Sequence, residues 1–212
     1  WAGLNPAATH REPLSVSDVL ASPMISDPLH LLDSCLVTDG GGAIVMTTAE
    51  HARALGVQPI YVRGFGESHT HWSIANMPDL AWHTAAERSG RDALRMAGVG
   101  LNAIDLVELY DSFTITVLMT LEALGFCGRG ESGGFVAGSR IAPGGSFPMN
   151  TNGGGLSCVH PGMYSLFLII EAVTQLRGEG MARQVNGAQT ALVHGNGGVL
   201  SSEATAILSS EL

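Results

Sequence analysis

Tyr110, His160 and His194 are the side chains whose types and settings could move protons and steady a developing negative charge. Tyr110 ends the apolar run Ile104–Leu109. His160 lies in the stretch Asn150–Tyr164, NTNGGGLSCVHPGMY, shortly after Gly153, Gly154 and Gly155. His194 follows Thr190–Val193 and leads into Gly195, Asn196, Gly197 and Gly198. An aromatic hydroxyl, two imidazoles and glycine-rich backbone amides are what acyl transfer or carbon–carbon cleavage requires, namely donors for an oxyanion and groups that exchange protons near neutrality. The glycines let the backbone take positive φ and approach a ligand closely. The three side chains are therefore expected in one pocket, with Gly153–Gly155 along its floor. Cys158, two residues before His160, reads as structural, and Cys35 and Cys127 as packing residues. His69 and His71 form a His-x-His pair without a third ligand nearby, so they read as loop residues and no metal is expected.

Such residues need elements to hold them. Ile104–Leu109 reads as a strand that delivers Tyr110 at its carboxyl end, the edge where ligands bind in α/β sheets. Asp111 or Ser112 is placed to cap the helix Phe113–Leu124, whose buried stripe is Val117, Leu118, Leu121 and Leu124. Pro161 suits the first turn of the next helix, marked by Leu166, Ile169, Ile170, Val173 and Leu176, which puts His160 at its N-terminus. Thr190–Val193 and Ala204–Leu208 read as strands. Upstream, Pro59–Gly66 alternates like a strand, and Ala43–Thr47 reads as a short buried one. Thr48 caps a helix Ala49–Leu55 that Gly56 closes. A long helix is expected over Pro78–Gly98, interrupted at Gly90, with Arg88, Arg91 and Arg95 as a solvated side. Residues 126–149 read as a long loop, and the Pro-rich first forty residues as an arm with a helix Ser17–Ala21 capped by Ser15 or Ser17.

Composition bounds the rest. Charged residues are 14% of the 212, against a usual ~25%, and 28 are glycine. That predicts a sheet-rich interior and an extensive subunit interface. The formal net charge of −9, with no basic stripe, argues against nucleic acid as a partner. The most apolar run, Met163–Ile170, is too short to span a bilayer and is followed by Glu171, and no signal peptide is legible. Three cysteines without metal spacing fit a reducing compartment, so a cytoplasmic location is expected.

At these same residues the sequence resembles the thiolase superfamily, and within it the sterol-carrier-protein-type and lipid-transfer-type thiolases, acetyl-CoA acetyltransferase-like. The family's strand-end block N-E-A-F, or H-D-C-F, is similar to YDSF at Tyr110–Phe113. Its N-x-x-G-G…G-H-P block is similar to Asn150–Pro161, its closing C-x-G-G-G block to HGNGG at His194–Gly198, and Leu20–Ala43 looks like the end of its N-terminal half. The resemblance implies an α/β thiolase-like fold, mixed sheets with packed helices, truncated at the N-terminus, with 1–75 the end of the N-terminal half and 76–212 the C-terminal half. It implies an acyl-CoA C-acyltransferase in which His160 activates a nucleophilic cysteine upstream of Trp1, Tyr110 completes an oxyanion hole, His194 is the second acid–base group, and backbone amides near Asn196 form a second oxyanion hole. Coenzyme A is then a substrate, with no tightly bound cofactor, and Gly153, Gly154, Gly155 and Asn196 are expected to contact it. A homodimer and a small OB-fold partner protein are implied as well. Tyrosine at position 110 departs from the thiolase pattern and is similar to a branch of steroid side-chain aldolases, which has a second tyrosine where this chain keeps His160, so acyl transfer comes first and the alternative is a retro-aldol lyase acting on a 3-hydroxyacyl-CoA with Tyr110 in proton transfer. A non-catalytic thiolase-fold subunit is the third, disfavoured because His160 and His194 are both kept.

Overall fold

A computed structural model describes residues 1–82 and 84–212. The elements, in chain order, are α1 (Val16–Ala21), β1 (Met24–Ser26), β2 (Leu29–His30), α2 (Ala49–Ala54), β3 (Tyr61–His69), α3 (Thr84–Ala97), β4 (Leu106–Leu109), α4 (Thr114–Leu124), α5 (Ser132–Phe135), α6 (Gly154–Ser157), α7 (Ser165–Leu176), β5 (Thr190–Gly197) and β6 (Ser202–Ser209), with short 3-10 turns between them. The main sheet has the order β3-β6-β5-β4. β6 lies antiparallel to both β3 and β5, and β5 runs parallel to β4. Pro148–Asn150 continues the sheet beyond β4: Val107 N–H donates to the Pro148 carbonyl (3.1 Å), Asn150 N–H donates to the Val107 carbonyl (3.0 Å), and Met149 bridges Val107 in parallel. The expected mixed α/β class is what forms.

Strand alternation divides the core in two. Val107, Leu109, Leu192 and Ile207 point to α3 and α4, meeting Ala93, Ala97, Val117 and Leu121. Leu106, Tyr110, Ala191, Val193 and Leu208 point to the other face, meeting Tyr164, Leu168 and Ala172. α3 can lie close to β3 because its inner face is small, with Ala85, Ala86, Ala93 and Ser89 fully buried, and because β3 presents Gly64 and Gly66 to it. A Cβ at Gly64 would come 2.7 Å from the Ala97 nitrogen, and one at Gly66 would come 3.0 Å from Asp92 Cβ. Gly90 does not interrupt α3. It faces α4, where a Cβ would meet Leu124 Cδ2 at 2.5 Å, so it serves helix–helix approach instead. Arg88, Arg91 and Arg95 are exposed, as expected.

Several local expectations change. Ala43–Thr47 is no strand: Val45 is 93% exposed, and among the described residues no neighbouring strand supplies the ladder that a short apolar run needs. The long helix starts at Thr84, after a turn at Pro78–Trp82; His83 lies outside the described residues. Asp111 and Ser112 do not cap α4, whose N-cap is Phe113. Ser15 caps α1 through a capping box with Asp18. The 126–149 loop holds the one-turn α5. Among the described residues, no helix is long and apolar enough to cross a membrane.

The close seat of α3 on β3 can be tested through its glycines. Gly66→Val is expected to cost about 1–3 kcal/mol, read as a lower urea midpoint at unchanged slope, whereas Val62→Thr on the half-exposed face of the same strand should stay within about 0.5 kcal/mol of the parent.

Candidate functional site

The carboxyl end of β4 and the Asn150–His160 turn meet residue by residue. Asn150, at φ 48°, turns its amide onto Leu109, donating from Nδ2 to the Leu109 carbonyl (3.0 Å) and accepting the Leu109 N–H on Oδ1 (2.8 Å). Asp111, 2% exposed, accepts the N–H of Gly155 on Oδ1 (2.7 Å) and that of Leu156 on Oδ2 (3.1 Å). Burial pushes its carboxyl up to about 7 against the pull of those amides. Tyr110, between these anchors, points to the α7 side, and its hydroxyl lies 2.9 Å from His160 Nε2 and 3.2 Å from the Gly162 carbonyl. The two rings meet edge to face at 5.4 Å, and Tyr110 packs edge-on against the buried Tyr164 as well.

His160 is held from its other side by the extended segment at Leu36–Thr38. Its N–H donates to Thr38 Oγ1 (3.0 Å), and its carbonyl accepts the Thr38 N–H (3.3 Å). Burial lowers the imidazole below its ordinary value, with the carbonyls of His160 itself and Leu36 pulling the other way. Burial raises the Tyr110 phenol. Near neutrality the pair is therefore a neutral imidazole beside an intact phenol, in which the hydroxyl can pass its proton to Nε2 while taking one from a bound molecule. A pocket of about 550 Å³ opens beside Tyr110, lined by Gly40–Gly42 of the crossing segment (residues 35–42, which run past His160), Pro161–Met163, Ser165–Phe167 and Asn196–Gly197.

Two expected features are not brought to this pocket. His194 does not end β5. The strand continues to Gly197, paired with Ser202, and by alternation the His194 side chain lies on the α3 face, opposite Tyr110. There its Nδ1 meets Thr205 Oγ1 (2.8 Å), Nε2 lies 3.7 Å from Glu203 Oε2, and Thr205 meets Ser89 of α3 (3.0 Å). Glu203, also buried, is raised by burial to about 8. Gly153–Gly155 do not line the floor either. Gly154 and Gly155 are buried against the Asp111 carboxylate, and Gly153 packs on Ala2; the glycines that line the pocket are Gly40–Gly42, Gly162 and Gly197. Nor does His160 stand at the N-terminus of α7, because Gly162, at φ 85°, turns the chain before the helix begins at Ser165. Asn196 does reach the pocket, and its Nδ2 donates to the Tyr110 carbonyl (3.4 Å). His69 and His71 bond to Ser202, Thr70 and the Val199 carbonyl.

Sequence reasoning missed the buried polar ladder under the site. Glu108, fully buried, accepts the Thr151 N–H on Oε1 (3.1 Å), and Thr151 Oγ1 lies 2.9 Å from that same oxygen and 2.8 Å from Glu171 Oε1. Thr151 has one hydroxyl proton and can donate to only one carboxylate. The other contact needs a proton on a carboxyl. Glu171 is paired with Arg183 (3.0 and 2.9 Å), so the proton belongs on Glu108, which burial and the neighbouring Glu171 both push well above the usual carboxylate range. The available signal was Glu108 itself, a charged residue inside the otherwise apolar run LVEL.

A model of the thiolase C-terminal domain-like family matches residues 66–210. Among curated relatives, an acetyl-CoA acetyltransferase of Methanothermobacter thermautotrophicus is 34% identical over 98% of this chain and 55% of its own length. A 17-hydroxy-3-oxo-4-pregnene-20-carboxyl-CoA lyase of Mycobacterium tuberculosis is 35% identical over 93% of this chain and 52% of its own. Among solved structures, an Ltp2-ChsH2(DUF35) aldolase superposes with a TM-score of 0.89 at 31% identity, covering 98% of this chain and 55% of that one. A monomeric SCP2-thiolase-like protein of Mycobacterium smegmatis gives 0.74 at 27%, covering 100% and 44%. The chain spans about half the length of the curated relatives it matches.

The proton assignment under the site carries a pH dependence. Glu108 has a folded pKa above its unfolded value, so its contribution is fully present below about pH 4.3 and is lost as pH rises toward the folded value. Glu108→Gln, which keeps an acceptor for Thr151, should fold normally and flatten this loss in urea titrations repeated across pH. Glu171→Ala, which strands Arg183, should cost about 3–5 kcal/mol.

Proposed function

Since the chain belongs to the thiolase superfamily, through a C-terminal-domain-like segment of the lipid-transfer type, we propose that the protein carrying it makes or breaks a carbon–carbon bond next to the carbonyl of a CoA thioester. The observation that carries the finer reading is the 2.9 Å contact between the Tyr110 hydroxyl and His160 Nε2 at the edge of an open pocket. That pair suits retro-aldol cleavage of a 3-hydroxyacyl-CoA. Tyr110 takes the substrate's hydroxyl proton as it gives its own to His160. The electron pair freed on that oxygen forms the new carbonyl, the C2–C3 pair moves onto C2 as the thioester enolate, and the proton returns through Tyr110 to C2. The products are an aldehyde or ketone and a shortened acyl-CoA. Backbone amides near Asn196 and Gly197 are proposed as donors to the enolate oxygen. The lyase among the relatives and the aldolase among the structural neighbours support this reading.

Acyl transfer is the second reading, favoured by the acetyl-CoA acetyltransferase that matches 98% of the chain. His160, neutral at pH 7, would then activate a cysteine thiol, and Tyr110 would donate to the thioester oxygen. In both readings His160 and Tyr110 act on the substrate, coenzyme A enters as substrate, and His194 acts from the other face of the sheet as a support. Residues 1–75 are proposed as the end of the N-terminal half and 76–212 as the C-terminal half, in a cytoplasmic homodimer. A small OB-fold partner is proposed on the example of the Ltp2-ChsH2(DUF35) aldolase.

Assaying the full-length protein separates the two. With a 3-hydroxyacyl-CoA and no free CoA, release of an aldehyde or ketone is expected, and Tyr110→Phe should lower kcat about 10²–10⁴-fold. Cleavage of only a 3-ketoacyl-CoA, and only with added CoA, would replace this reading with acyl transfer; no cleavage of either would end both. His160 must be neutral to accept a proton, and the turn that carries it hangs on the Asp111 carboxylate, at about 7, so kcat/KM should fall as pH drops from about 7 to below about 6.5, and it should hold on the alkaline side to beyond about pH 10, because the phenol is raised.

A further inference from the structure

We propose that Asp111 is a positioning residue that keeps His160 on Tyr110. Both partners of that contact are tied to it. Tyr110 precedes it directly in the chain, and the Gly155 and Leu156 amides it holds belong to the turn that leads to His160 two residues after Cys158. The tie is also steric: a Cβ at Gly155 would lie 3.1 Å from Asp111 Oδ1 and 3.1 Å from His160 Cδ2, so the carboxylate and the imidazole flank one glycine. Gly154, at φ 71°, is pressed on the same carboxylate. A buried carboxylate held by neutral amides rather than by a cation is costly. What it secures is orientation, since two fixed acceptors set both the height and the rotation of the turn beneath the imidazole. The catalytic consequence rests on the proton transfer proposed above, whereas the geometric claim does not.

Protonating Asp111 removes one acceptor from the pair of amides, so the position of His160 should report the charge on Asp111. The titratable groups facing that carboxylate are Glu108 and Tyr110 on and just beyond β4, Cys35 on the crossing segment, Cys158 in the turn and Tyr164 before α7. Of these, the cysteines and tyrosines are all raised and Glu108 is held protonated, which leaves Asp111, at about 7, to change near neutrality.

The test is a histidine-¹⁵N titration of the chain from about pH 5 to about pH 9, with His160 assigned by its loss in His160→Gln. One dominant neutral tautomer is expected at neutrality, with its own midpoint below about 6.5 and a second inflection near 7. Asp111→Asn should abolish the second inflection, mix the tautomers and move the His160 midpoint toward about 6.5. Glu108→Gln should leave the second inflection in place. A single inflection in the unmodified chain overturns the proposal, as does an unchanged tautomer and midpoint in Asp111→Asn or loss of the inflection in Glu108→Gln. If Asp111→Asn fails to fold, the titration of the unmodified chain and of Glu108→Gln still decides. No outcome depends on which reaction the protein catalyses.

Discussion

The structure depends on how the carboxyl end of β4 is held. The strand is short, Leu106–Leu109, and on its outer side, among the described residues, it pairs with the Pro148–Asn150 segment. Buried backbone groups must be paired, and at this edge side chains do much of the pairing: the Asn150 amide takes both polar groups of Leu109, Thr151 anchors on Glu108, and Asp111 takes two amides of the turn. Strand and turn become one rigid unit. Tyr110 is the residue in the middle of this stitching whose side chain is left to face outward to a pocket.

Rigidity at that point matters for chemistry, because a proton moves usefully only between atoms held at hydrogen-bond distance. The neutral imidazole and intact phenol both result from partial burial, which disfavours the charged forms of each. The same burial disfavours a carboxylate as it does a phenolate, and with the neighbouring Glu171 it keeps Glu108 neutral beside the Glu171–Arg183 pair. One physical effect thus sets the proton inventory of the whole region. On the far face of the sheet, His194, Thr205, Glu203 and Ser89 make a separate polar core between β5, β6 and α3. It braces the strand whose His194 carbonyl accepts the Tyr110 N–H (3.0 Å), which is a route of support rather than direct contact.

Much of this was legible in the sequence. Apolar periodicity placed β3, β4, α4, α7, β5 and β6, because these elements bury a face against one sheet and the pattern records which face. The block order YDSF, NTNGGGLSCVHPG and HGNGG carried the family, and Tyr110 and His160 were named from residue type and position at the ends of runs. What the sequence could not decide was facing and pairing. Its position after an apolar run points His194 to the pocket, but β5 runs on to Gly197 because β6 pairs with it, and alternation along that longer strand turns the imidazole to α3. Gly153–Gly155 looked like a ligand cradle, yet Gly154 and Gly155 are small because Asp111 fills the space a side chain would need. Ala43–Thr47 has the composition of a buried strand and, among the described residues, no neighbour to pair with. Side-chain type and local period are properties of the chain itself. Which carboxylate meets which amide is set by partners 43 to 45 residues away, and which face of a strand a histidine takes is set by the ladder with β6 that lengthens the strand; only the tertiary structure brings those together.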